Sequence, residues 1–151
     1  MKYDLVVVGA GTAGCVAAST AAKAGLEVCL IDAKPSHEIG EKVCGDGVPK
    51  HHFDDLGLAY PSREELACHT ERIDFYSPDN TIIFHEGGQS ASGFMINRKP
   101  FGQRLLKEAI QLGAELRDCS RVVQPILRGS LISGVVARHL TSGLKDEIAG
   151  G

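Results

Sequence analysis

This sequence lacks an excess of basic residues, a long apolar run and an export signal. Lys and Arg number 16 against 19 Asp and Glu, a formal net charge of -3, which argues against a nucleic-acid partner. No apolar run approaches the roughly 18 residues that a membrane-spanning helix needs. The first predicted strand also begins too close to Met1 for a charged segment, an apolar core and a cleavage site. These absences predict a cytoplasmic protein that is at most peripheral on a membrane.

The cysteines lack the spacing of a disulfide framework. There are five of them, an odd number without a C-x-x-C pair, which favours reduced thiols in a reducing compartment. Other metal-ligating side chains lie near one of these cysteines, in the set His51, His52, Cys68 and His69. No pair in this set has the short spacing of a structural zinc site, so we predict no metal.

The most informative stretch is residues 3–32, which begins with an apolar, β-branched run at Leu5–Val8. Such a run predicts a strand buried on both faces of a parallel sheet. Gly9 permits a tight turn, Gly11 lets the backbone approach a pyrophosphate, and Gly14 allows the next helix to pack closely on the sheet. The N-terminus of that helix would direct its N–H groups at the phosphates.

A second apolar strand is predicted at Val28–Ile31, and Asp32 follows it. A carboxylate at this position accepts hydrogen bonds from the hydroxyl groups of a ribose. Its charge also repels a 2′-phosphate, so the residues favour FAD or NAD over NADP. The alternative interpretation is a purely structural strand–helix–strand unit.

The rest of the chain divides into three segments. Residues 33–72 are rich in Gly and Pro and predict a long ordered loop with a short helix at His51–Leu56. Residues 73–97 predict a small antiparallel β insertion with a turn at residues 77–80. Residues 98–151 predict a helix, a third parallel strand and a β-hairpin, at the positions Arg98–Leu112, Ala114–Asp118, Val122–Leu127 and Leu131–His139.

Taken in order, these motifs resemble a known family. The glycine motif with Asp32 is followed by the loop Cys44-Gly45-Asp46-Gly47-Val48-Pro49-Lys50, by INRKPFGQRLLKEAIQLGAEL and by a hairpin ending in SGVVAR. This order resembles the N-terminal part of the geranylgeranyl reductase family of FAD-dependent oxidoreductases. Within that family the chain is most similar to the archaeal enzymes that saturate the isoprenoid chains of membrane lipids.

The resemblance implies an α/β fold, with the Rossmann-type parallel sheet of a glutathione reductase-like FAD-binding domain and an antiparallel β insertion. It also implies that residues 1–151 are an N-terminal part, incomplete at the C-terminus, without the substrate domain and inactive alone. The expected cofactor is FAD. The expected partners are an isoprenoid lipid and an electron donor such as ferredoxin or NAD(P)H. The first strand would then have an unpaired apolar edge.

The resemblance also assigns residues. The expected cofactor-binding set is Gly9, Gly11, Thr12, Ala13, Gly14, Asp32, Ala33, Cys44, Gly45 and Arg98. An isolated C=C bond is a poor hydride acceptor, so a proton must be delivered as the hydride arrives. Cys44, or a water held by Asp46, is the expected catalytic donor.

Plainer interpretations of these residues remain open. Cys44 would then be an inert packed thiol, Asp46 a turn former and Arg98 a solvated surface residue. Pro49 departs from the family pattern, in which a small polar residue is common, and it removes a backbone N–H. Two other classes of protein also remain open: a flavin-dependent monooxygenase or halogenase, and a noncatalytic dinucleotide-binding module.

Overall fold

The computed structural model describes residues 2–88 and 91–151. Residue 1 lies outside the described residues, as do residues 89 and 90 of the predicted insertion at 73–97. The chain forms two compact units, residues 1–41 with 102–151, and residues 42–101. The elements in chain order are β1 (Lys2–Tyr3), β2 (Leu5–Val8), α1 (Thr12–Lys23), β3 (Val28–Ile31), β4 (Gly47–Pro49), α2 (Lys50–Leu56), β5 (Leu66–Thr70), β6 (Arg72–Tyr76), β7 (Ile83–Gly87), β8 (Gly93–Ile96), α3 (Arg98–Gln111), β9 (Glu115–Arg117), β10 (Ser120–Arg128), β11 (Leu131–His139) and β12 (Lys145–Gly150), with short 3-10 turns at Ser36–Glu38 and Arg63–Glu65.

The first unit contains the predicted Rossmann-type parallel sheet. Its strand order is β2-β3-β9, and both pairings are parallel. Helix α1 connects β2 to β3 and packs on the sheet through Cys15 and Ala18, which are both fully buried. The α/β fold expected from the sequence is confirmed, including the third parallel strand next to β3.

Strand β2 lies at the edge of this sheet. Among the described residues its strand partner is β3, which agrees with the expected unpaired edge. All four residues of β3 are buried, whereas those of β2 are half-buried and Val8 is 57% exposed. The prediction that Leu5–Val8 is buried on both faces is therefore wrong, because an edge strand has a neighbour on one side only.

A second sheet in the first unit has the order β1-β12-β11-β10. The predicted hairpin forms β10 and β11, and β12 continues the antiparallel pairing. Strand β12 also pairs in parallel with β1, which joins the two ends of the chain. The two sheets share a core formed by Tyr3, Cys29, Ile31, Ala137 and Ile148.

The second unit contains a sheet of order β4-β8-β5 and a separate two-stranded hairpin, β6-β7. Strands β4 and β5 lie in the segment predicted as loop and short helix, so that part of the prediction is wrong. Most residues of β5 are exposed, so this strand has little apolar pattern in the sequence. Both β4 and β5 form because β8 supplies their hydrogen-bond partners. Phe53 is the centre of an aromatic core with Tyr60, Phe94 and Phe101.

The ends of α2 and α3 agree with the ends predicted from the sequence to within a residue or two. α2 begins one residue before the predicted His51, after Pro49, and ends at the predicted Leu56, followed by Gly57 in a left-handed conformation. α3 ends at Gln111, one residue before the prediction. Among the residues that the structure describes, no helix combines the length and the apolar character needed to cross a membrane.

Candidate functional site

The three glycines of the first unit each meet a separate steric need. Gly9 has a φ of +99°, and its N–H donates to the Ile31 carbonyl at 2.7 Å, so the turn leaves β2 while still attached to β3. A Cβ placed on Gly14 would lie 1.8 Å from the Gly9 carbonyl oxygen. A Cβ placed on Gly11 would meet nothing within 4 Å, so the space beside it is open to a ligand.

Helix α1 begins immediately after this loop. Gly11 is its N-cap, and no acidic side chain occupies the first turn, where Thr12 and Ala13 lie. The positive end of the helix dipole therefore meets no carboxylate from its own first turn. Together with the open space at Gly11, this arrangement suits a phosphate group.

Asp32 connects the end of β3 to the glycine loop. Its Oδ2 accepts a hydrogen bond from the Ala10 N–H at 2.7 Å, and its Oδ1 accepts one from the Lys34 N–H at 2.8 Å. An ionised carboxylate has about four acceptor sites, so capacity remains for ribose hydroxyls. The half-buried Ala33 follows Asp32 at the start of the next loop. The carboxylate predicted to bind a ligand thus also orders the loop.

Ala10 is a residue that the sequence prediction missed. It is 1% exposed, and the Cys15 thiol donates to its carbonyl oxygen at 3.2 Å while Asp32 accepts from its N–H. Burial raises the pKa of Cys15 to about 11, and the Asp32 charge adds to this effect. Cys15 is therefore an inert core thiol, with an additional hydrogen bond to the loop. No feature of the sequence marks Ala10.

In the second unit, Asp46 and Arg98 form an ion pair. The Arg98 Nε lies 2.7 Å from Oδ1 of Asp46, and the two side chains are 17% and 33% exposed. Asp46 has a φ of +57°, and its carbonyl oxygen accepts a hydrogen bond from the Ile96 N–H at 3.0 Å. The interpretation of Arg98 as a solvated surface residue is wrong, because its guanidinium is largely covered. Asp46 adopts the left-handed conformation of a turn former.

The Cys44 thiol is exposed rather than packed. The backbone N–H of Asp46 lowers the pKa of this thiol, and the positive charge of Arg98 lowers it further. The neighbouring Gly45 is also exposed. The alternative of a packed thiol is therefore wrong, and the surroundings of Cys44 favour its thiolate form. The predicted catalytic roles of Cys44 and Asp46 stay predictions.

We expect Cys44 to be alkylated faster by iodoacetamide than Cys68, the other fully exposed thiol, at pH values near neutrality. A lowered pKa means that more thiolate is present at a given pH, so the rate should reach its plateau at a lower pH than for a free cysteine. Arg98→Gln should shift this plateau to higher pH, whereas Arg63→Gln, at an exposed arginine of the same unit, should not. Mass spectrometry of each site over a pH series checks this, and equal profiles in all variants would contradict it.

The predicted absence of a metal concerns the histidines and cysteines of the second unit. His51 and His52 lie side by side on α2, with ring centroids 4.1 Å apart. Within residues 2–88 and 91–151, no group of three or more His, Cys, Asp or Glu side chains is arranged to hold a metal ion.

Comparison with known sequences links the chain to flavoprotein families. The family described as Glucose inhibited division protein A matches residues 4–50. The digeranylgeranylglycerophospholipid reductase of Sulfolobus acidocaldarius is 40% identical over 136 residues, which are 90% of this chain and 29% of that protein. The enzyme of the same name from Methanosphaerula palustris is 33% identical over 139 residues, 88% of this chain and 33% of that protein. The chain therefore spans about a third of the length of these curated relatives.

Solved structures share the fold over nearly the whole chain. A geranylgeranyl bacteriochlorophyll reductase-like protein from Thermoplasma acidophilum superposes with a TM-score of 0.84 and 27% identity, over 99% of this chain and 37% of that one. The glycerol-3-phosphate dehydrogenase of Bacillus halodurans, solved in complex with FAD, gives 0.72 at 16% identity, over 99% and 33%. The flavin-dependent brominase Bmp2 gives 0.73 at 21%, over 99% and 36%. The last two similarities show the fold alone.

Proposed function

Since this chain is related over nine-tenths of its length to the digeranylgeranylglycerophospholipid reductases, we propose that it is the dinucleotide-binding part of an FAD-dependent oxidoreductase. The proposed reaction is the reduction of isolated C=C bonds in the geranylgeranyl chains of membrane lipids. The observation that carries the proposal is the 40% identity to the Sulfolobus enzyme. The glycine loop and Asp32 support it, because their geometry suits the ADP half of the cofactor.

The first unit would hold the ADP moiety of FAD. Backbone N–H groups at the start of α1 would bind the pyrophosphate, which needs the open space beside Gly11. Asp32 would accept hydrogen bonds from the ribose hydroxyls with the acceptor capacity that Ala10 and Lys34 leave. Bound flavin would supply the hydride, which is chemistry that protein side chains do not offer. The residues present fit this half of the cofactor.

Cys44 and Asp46 are the proposed source of the proton. The Cys44 thiol is exposed and thus accessible to a substrate, and its lowered pKa makes it a stronger proton donor than an ordinary thiol. Asp46 is held by Arg98 at 2.7 Å, which leaves its second oxygen to orient a water molecule. The proposed partners are an isoprenoid lipid and an electron donor such as ferredoxin or NAD(P)H. A cytoplasmic location with contact to the membrane surface is part of the proposal.

Ligand titration separates this proposal from its rivals. We expect FAD to bind weakly to the chain, ADP to compete with it, and FMN to bind far less, because FMN lacks the adenosine half that the glycine loop recognises. Flavin fluorescence and isothermal calorimetry measure these affinities. Equal affinity for FAD and FMN would contradict the assignment of the ADP site.

The reaction class needs a second measurement. The complete enzyme of which this chain is proposed to be a part, carrying chemically reduced flavin, is mixed anaerobically with a geranylgeranyl lipid, and the flavin absorbance and the lipid mass are followed. We expect reoxidation of the flavin with a mass gain of two hydrogens per double bond. Flavin that reoxidises only when oxygen is added, with the lipid unchanged, would instead favour a monooxygenase or halogenase.

A further inference from the structure

Three basic side chains form a row across the second sheet of the first unit. Arg121 of β10 lies directly opposite Arg138 of β11, and Arg138 lies directly opposite Lys145 of β12. All three residues are exposed. Side chains directly opposite in adjacent strands lie about 5 Å apart on the same face, and like charges there destabilise the sheet. This cationic row therefore opposes folding unless negative charge neutralises it.

The surrounding carboxylates do not remove the charge of the cationic row. Among the ion pairs of the described residues, none includes a member of the row. Asp146 belongs to the opposite face of β12, where it lies 3.9 Å from Arg117. Glu147 shares the face of the row but stands opposite Val136, two pairs further along the strands. The row thus retains a net positive charge.

Two exposed leucines flank the row at the tip of the β11–β12 hairpin. Leu140 is 42% exposed and Leu144 is 69% exposed, and they lie between Arg138 and Lys145 in the chain. The tip is ordered by hydrogen bonds, since the His139 N–H donates to the Leu144 carbonyl at 2.9 Å and the Leu140 N–H to that of Cys119 at 2.7 Å. An ordered turn therefore displays apolar side chains beside a band of cations.

We propose that the cationic row and the two tip leucines bind the surface of an anionic lipid bilayer. Headgroup phosphates would neutralise the like charges that the sheet register brings together, and the leucines would enter the boundary between headgroups and acyl chains. An acidic protein surface would neutralise the cations but would not bury the leucines. An anionic bilayer would neutralise the cations and also bury the exposed leucines at the same end of the hairpin. This inference rests on the membrane contact of the proposed function and assigns a surface to it, and the contact itself needs no bound flavin.

Vesicle flotation with the whole chain tests the proposal. The probes are vesicles of phosphatidylcholine alone and of phosphatidylcholine mixed equally with phosphatidylglycerol. We expect binding to the anionic vesicles only, and a loss of this binding at high salt. Each of Arg121→Gln, Arg138→Gln and Lys145→Gln should weaken binding roughly 5-fold, and the triple variant about 100-fold. Leu140→Ser with Leu144→Ser should also weaken it, with less dependence on salt.

The matched control lies at the opposite end of the same sheet. Arg128 is the exposed last residue of β10, with the exposed side chains of Leu127 and Leu131 beside it. Arg128→Gln and Leu131→Ser should leave vesicle binding unchanged, and circular dichroism confirms that each variant is folded. Three results would each overturn the proposal. They are wild-type protein that does not bind anionic vesicles, a triple variant that binds like the wild type, and loss of binding in Leu131→Ser. Because the assay contains no flavin, its failure is distinguishable from failure of the reductase proposal.

Discussion

Replacing Gly14 with alanine is expected to destabilise the first unit by about 3 kcal/mol or more and to abolish dinucleotide binding. The added methyl group would lie 1.8 Å from the Gly9 carbonyl oxygen and 3.0 Å from the Gly9 carbonyl carbon. These are backbone atoms of the loop, so no side-chain rotation relieves the overlap. Either α1 moves away from the sheet or the Gly9 turn opens. Urea unfolding measures the loss of stability, and flavin fluorescence measures the loss of binding.

Gly11→Ala is the matched control for this substitution. A Cβ there meets nothing within 4 Å, and the φ of −71° is suitable for any residue. We expect a stability within about 0.5 kcal/mol of the wild type. FAD should nevertheless bind more weakly, because the methyl group occupies the space through which the pyrophosphate reaches the backbone. Equal urea midpoints for the two variants would contradict the steric assignment of Gly14.

Asp32→Ala is expected to lower the affinity for FAD about 100-fold and the stability by about 2 kcal/mol. The buried Ala10 N–H loses its acceptor at 2.7 Å, whereas the more exposed Lys34 N–H finds water instead. The affinity falls for two reasons, since the ribose loses an acceptor and the glycine loop loses the contact that orders it. Calorimetric titration with FAD measures the affinity, and urea unfolding measures the stability.

Asp4→Ala provides the comparison for Asp32→Ala. The Asp4 Oδ2 also accepts a backbone N–H bond, from Glu27 at 2.9 Å, but at an exposed position away from the glycine loop. We expect a loss of less than about 1 kcal/mol and unchanged FAD affinity. Hydrogen exchange of ligand-free protein adds an independent readout, because only Asp32→Ala should speed exchange at the Ala10 amide. Unchanged exchange there would contradict the ordering role of Asp32.

The parallel sheet and the glycine loop were predictable because their signals are local. The apolar runs at Leu5–Val8 and Val28–Ile31, the glycine spacing and Asp32 all lie within about thirty consecutive residues, and each constrains its neighbours. The short strand β5 was missed because its residues are mostly exposed and carry no period. Strand β1 was missed because its partner is β12, at the other end of the chain.

For Cys44, Asp46 and Arg98 of the second unit, too, the local motif was predictable from the sequence and the long-range contact was not. The CGDG loop was recognised by resemblance, and Arg98 was expected to contact the cofactor. That Arg98 pairs with Asp46, fifty-two positions away in the chain, depends on the fold of the second unit. No spacing rule connects a loop residue to the first residue of a later helix. The pKa of Cys44 is lowered first by the nearby Asp46 N–H, and the further contribution of Arg98 depends on that arrangement.

By itself, the sequence determined the class of fold, the position of the glycine loop and the identity of its glycines and of the acid that follows β3, because backbone conformation and apolar periodicity are properties of neighbouring residues. Tertiary structure alone decided which residues meet: Asp32 and Cys15 at Ala10, Asp46 at Arg98, and the cationic row across three strands. The row depends on strand register, and a slip of one residue would move each side chain to the other face of the sheet. Register and long-range pairing are set by the packing of the whole unit, so they become visible only after the chain has folded.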